Sequence, residues 1–122
     1  MSDEERLPDQ PTEMLLLFAR PLIAVLGEPR SVDELRQVVM LATLCWNLPV
    51  MERESVAEYE TTQREFEGLL AALPDPLPST LGAMLKERLG RFQAIPYFLV
   101  AEVQGETLED AVLHAEARGF AA

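Results

Sequence analysis

The stretch SVDELRQVVMLATLCWNLP, residues 31–49, is the longest apolar run in the chain that carries both a start and a stop signal. Ser31 followed by Glu34 is a capping-box pattern: the serine oxygen accepts from the backbone N–H near Glu34, and the glutamate reaches back to the N–H of Ser31. Asp33 and Glu34 put negative charge at the positive end of the helix dipole. Leu35, Val38, Val39, Ala42, Cys45 and Trp46 line one face and Met40, Leu41, Leu44 and Leu48 the other, so the C-terminal two-thirds is apolar nearly all round. Such a helix belongs in the middle of a bundle. Pro49 disfavours helical geometry at Leu48, which sets the expected helix at 32–48.

The flanking segments supply its partners. Residues 1–11 are charged and proline-spaced and read as a flexible acidic tail, leaving 12–122 as a single helical domain. Thr12 is placed to cap a helix carrying Met14 to Phe18. Arg20-Pro21 interrupts that helix, because proline has no N–H to bond back to Leu17, so the segment is two short helices or one kinked one. Leu22 to Leu26 then closes at Gly27, with Pro29 just beyond.

After the central helix, Met51 to Leu73 reads as a long peripheral helix. Val56, Tyr59, Phe66, Leu69, Leu70 and Leu73 form its stripe, and Glu52, Glu54, Glu58, Glu60, Glu65 and Glu67 face water. Pro74 to Pro78 breaks it. Ser79 or Thr80 starts a further helix with Leu81, Met84, Leu85, Leu89 and Phe92 on one face and Lys86, Arg88 and Arg91 on the solvated side or its edges.

The C-terminal part supports two readings. Ile95 to Val103 is rich in β-branched and aromatic residues and reads as a strand, whose backbone groups need a neighbour. Asp110 to Ala117 can supply it, since Ala111, Leu113, Ala115 and Ala117 alternate with Val112, His114 and Glu116. Against this, Thr107 with Asp110 resembles a capping box and Gly119 a helix stop, which would make 108–118 a C-terminal helix. The need for a strand partner favours a β-hairpin at about 96–117. The expected fold is therefore mainly α (α+β): a compact helical bundle around 32–48 with that hairpin on its side.

Composition narrows function. The chain has 122 residues, 48% of them hydrophobic, with nine prolines, which is ordinary for one globular domain. Ten basic against twenty-one acidic side chains leave a net charge of −11, which repels phosphate backbones and anionic lipid, so neither nucleic acid nor membrane is expected as a partner. No segment holds the roughly 18 to 20 uninterrupted apolar residues of a bilayer span, and the acidic N-terminus lacks the features of a signal peptide; the expected location is cytoplasmic.

Chemistry-bearing motifs are scarce. His114 is the sole histidine, which removes most catalytic and metal constellations, and Cys45 reads as a small core hydrophobe. Glu54 and Glu58, or Glu58 and Glu65, have the spacing of a helical carboxylate pair, but no facing histidine completes a metal site. Phosphate-binding glycine patterns and the nucleophile elbow are missing. Asn47 reads as a cap for backbone carbonyls or a neighbouring loop.

The expectation is a non-catalytic interaction or adaptor protein without cofactor or metal, binding a protein partner or itself. Arg88, Arg91, Phe98, Glu58 and Glu65 are the candidate contact residues, and the edge of the Phe98–Val103 strand is a candidate for strand addition. The alternatives are a small-molecule-binding protein or small enzyme with a pocket between helices using Arg88 and Arg91, and an acidic decoy for a basic partner.

Overall fold

A computed structural model of the chain describes residues 10–54, 57–93, 95 and 97–118. It has five helices followed by one hairpin: α1 Pro11–Phe18, α2 Arg20–Leu26, α3 Val32–Arg53, α4 Tyr59–Ala72, α5 Leu77–Leu89, β1 Phe98–Gln104 and β2 Val112–Arg118. This is the mainly α, α+β architecture read from the sequence, with the hairpin and not the C-terminal helix. Most of the expected tail, and the helix-stop residue Gly119, lie outside the described residues.

Helix α3 is the axis, and it starts as the capping pattern predicts. Ser31 Oγ accepts from the Glu34 N–H at 3.1 Å. The glutamate reaches one residue further than expected, accepting from the N–H of Arg30 at 2.9 Å. The stop signal fails: Pro49 sits inside the helix, which continues to Arg53. Ala42, Trp46 and Val50 are each fully buried at a spacing of four, so burial of Val50 carries the helix past the one backbone bond that proline removes. The peripheral helix α4 is correspondingly shorter than expected. Its stripe is as read, with Phe66 buried and Tyr59, Leu69, Leu70 and Leu73 packed against the core; Val56 lies outside the described residues.

Three other boundaries move. Proline at 11 occupies the first turn of α1, so Gln10 precedes the helix. Thr12 is freed from capping, and its hydroxyl accepts from the Ala115 N–H of β2 at 3.0 Å. Helix α5 begins at Leu77, with Ser79 and Thr80 both donating to the Pro76 carbonyl. It ends at Leu89, which is exposed, while Phe92 turns back into the core.

The hairpin pairs β1 and β2 antiparallel, from Phe98 opposite Arg118 to Gln104 opposite Val112. Leu99 and Ala115 are its buried residues, and the face bearing Val100, Glu102, His114 and Glu116 is exposed. Thr107 and Asp110 do bond to each other, side chain to side chain at 3.1 Å, but they close the connecting turn instead of starting a helix. Gly105 lets the chain enter that turn: its φ is +117°, and a Cβ there would lie 2.7 Å from the Asp110 carbonyl oxygen. The core is a contiguous cluster uniting all five helices and both strands, with Trp46 at its centre. The Trp46 ring meets Phe18 edge-on at 5.2 Å and Phe92 at 5.3 Å, and stacks on Tyr97 at 6.1 Å.

Candidate functional site

Two regions flank α3 and differ in kind. At its C-terminal half lies a sealed polar knot. Arg88, expected on the solvated side of α5, is only 2% exposed. Leu81, Met84, Leu85 and Arg88 follow the i, i+3, i+4, i+7 pattern, so the arginine occupies a position on the buried stripe and not opposite it.

Its charge is met by backbone oxygens. Nε donates to the Trp46 carbonyl at 3.0 Å, one terminal nitrogen to Phe92 and the other to Ile95 at 2.8 Å and Tyr97 at 3.4 Å. The guanidinium carbon also lies 4.0 Å from the centroid of the Trp46 ring. Burial lowers its pKa to about 10, with the nearby Arg53 charge acting in the same direction. A cleft of about 270 Å³ between Pro49, Glu52, Arg53, Leu89 and Gln93 reaches Arg88 from outside, but the guanidinium is already engaged by main-chain carbonyls.

Cys45 belongs to the same sealed region. It is fully buried, its Sγ faces the Leu81 carbonyl at 3.9 Å, and burial pushes its thiol up to about 12, leaving it neutral. A thiol in that state is no nucleophile.

Along another face of α3, from Arg36 to Asn47, the situation reverses. The helix is not enclosed all round: Met40 is 51% exposed and Leu44 partly exposed. Together with Val39, Leu69, Ala101 and Val103 they line an open groove of about 830 Å³ between α3, α4 and β1, with Arg36, Glu65 and Glu102 as its charged residues.

The wall of this groove carries the feature that most changes the sequence reading. The outer edge of β1 is closed by side chains of α3. The Asn47 amide is bidentate to Leu99, donating to its carbonyl at 2.9 Å and accepting from its N–H at 2.8 Å. Trp46 Nε1 donates to the Tyr97 carbonyl at 3.1 Å. Arg36 donates to the carbonyls of Val103 at 3.3 Å and Gly105 at 3.0 Å. Antiparallel pairing points alternate residues away from the partner strand, and these are the odd-numbered ones here. Between the two caps only Ala101 is left, so the β1 edge is not the open ladder that strand addition requires. Asn47 therefore does bond to backbone, but to a strand 52 residues away.

The remaining candidates scatter. Glu65 lines the groove, and Glu58 immediately precedes α4, seven residues earlier; both are exposed. Arg91 is exposed beyond α5, with its guanidinium 5.4 Å from the Phe92 ring centroid, and Phe98 is half-buried at the start of β1. His114 is exposed on β2, opposite Glu102. Arg36, Met40 and Asn47 were not singled out as contact residues by sequence reasoning. Met40 was legible as the odd residue on an otherwise buried helix, whereas nothing local links Arg36 or Asn47 to a strand.

Among the described residues there is no group of three or more His, Cys, Asp or Glu side chains able to hold a metal ion, and no helix is long and apolar enough to cross a membrane. Comparison with protein-family models, with curated proteins and with solved structures returns no match.

Proposed function

We propose that this chain is a non-catalytic adaptor of the cytoplasm that binds a protein partner through the groove between α3, α4 and β1. The observation that carries this reading is the exposure of Met40 and Leu44 on the helix that otherwise forms the core, beside Leu69 and Val103. An apolar floor interrupted by Thr43 and Asn47, with a charged rim, has the composition of a protein-binding surface. A further observation supports it: Cys45 is buried, and its thiol is held neutral by that burial.

The test is site-directed crosslinking. With benzoylphenylalanine in place of Met40, irradiation in native lysate is expected to give a discrete protein adduct, competed by the wild-type chain but not by the M40E variant. No adduct at position 40, together with a strictly monomeric chain in solution, overturns the proposal.

A further inference from the structure

Building on the interaction reading, we infer that the groove takes an amphipathic helix whose apolar face is flanked by Lys or Arg. Two properties of the groove select this occupant. The first is the state of its main chain. The exposed edge of β1 is occupied by Asn47 on Leu99 and by Arg36 on Val103 and Gly105, so a ligand laid here finds almost no backbone partners. An extended segment here would find only water for its main chain, whereas a helix satisfies its own N–H and C=O groups along its whole length, which favours the helix. A volume of about 830 Å³ accommodates several apolar side chains from successive turns.

The second property is charge. Arg36 donates to the two strand carbonyls and lies 3.6 Å from Asp33, so its donors are engaged within the chain and it is outnumbered by the carboxylates around the groove. Glu65 on one bank and Glu102, which accepts from Gln104 Nε2 at 3.1 Å, on the other make the groove acidic, and neither is in a salt bridge among the described residues; Glu58 adds a further exposed carboxylate just ahead of α4. The net charge of −11 adds long-range attraction for a basic segment and repels an acidic one.

The experiment is a selection from a displayed library of helical peptides, randomised at both apolar and charged positions, against the full chain. M40E serves for counter-selection, and circular dichroism controls for folding. The expected winners carry apolar residues at i, i+3, i+4 and i+7 with excess Lys and Arg. Their binding should fall at least about tenfold with M40E and about two- to fivefold with each of E65Q and E102Q, and weaken as salt rises. Neutral or acidic winners that still depend on Met40 overturn the basic-helix inference and leave the interaction reading standing. Winners indifferent to M40E, or none, overturn both. Sedimentation of the chain alone completes the test: self-association abolished by M40E assigns the groove to a second copy and overturns the inference.

Discussion

Two faces of α3 carry similarly apolar residues and end in opposite circumstances. Around Cys45, Trp46 and Val50 the helix is enclosed by α1, α5 and the hairpin, and every polar group that enters is bonded. Around Met40, Leu44 and Asn47, on another face of the same turns, the helix opens onto a groove. The difference comes from neighbours more than from hydrophobicity. Arg88 closes one side by gathering the carbonyls of Trp46, Phe92, Ile95 and Tyr97, while α4 and β1 stand apart on the other. Apolar content alone thus does not distinguish core from recognition surface; the placement of polar anchors does.

The sharpest way to break the contrast is on the sealed face. Trp46→Ala removes the ring that joins Phe18, Phe92, Tyr97 and Arg88, and denaturant unfolding should register a loss of about 3–5 kcal/mol. Arg88→Met keeps the stem but leaves several buried carbonyls without a donor, for an expected cost of about 3 kcal/mol. Arg88→Lys should recover only part of it, because an ammonium lacks the planar fork that reaches three directions at once.

Asn47→Ala comes next, at about 2 kcal/mol, since both main-chain groups of Leu99 lose their partner. Hydrogen exchange at the Leu99 amide should accelerate more than at the amides of α5. On the open face the effect on stability should almost vanish. Met40→Glu is expected to lie within about 0.5 kcal/mol of wild type by the same denaturant measurement, despite altering a residue of the central helix.

Cys45 gives a pH test of the seal. Its thiol titrates near 9 when unfolded and near 12 when folded, so the native state holds the proton more tightly. The thiol's contribution is fully present below pH 9 and is lost as pH rises toward 12. The stability difference between wild type and Cys45→Ala should therefore shrink or reverse across that window, while remaining flat from pH 6 to 8.

How much of this was legible in the sequence depends on the range of the signal. Local patterns located α2, the start of α3 and the stripe of α4, and the need for a strand partner selected the hairpin against the competing Thr107–Asp110 cap. Pro49 misled because one lost backbone bond was weighed without the burial of Val50 beyond it. Arg88 misled because its charge was given more weight than its position on the α5 stripe. The groove was out of reach for a different reason: it is assembled from Met40, Leu69 and Val103, which no short window contains, and the caps on β1 cross 52 to 69 residues of chain.

The bidentate grip of Asn47 on Leu99 has a bearing on how the protein keeps in concentrated solution. A two-stranded ribbon ordinarily invites further strands to stack beside it, the first step toward fibrils. Here a helix supplies amide, indole and guanidinium groups where a third strand would sit beside β1, and on the other side the Thr12 hydroxyl takes up the Ala115 N–H of β2. The β1 side of the ribbon is thereby kept from templating further growth.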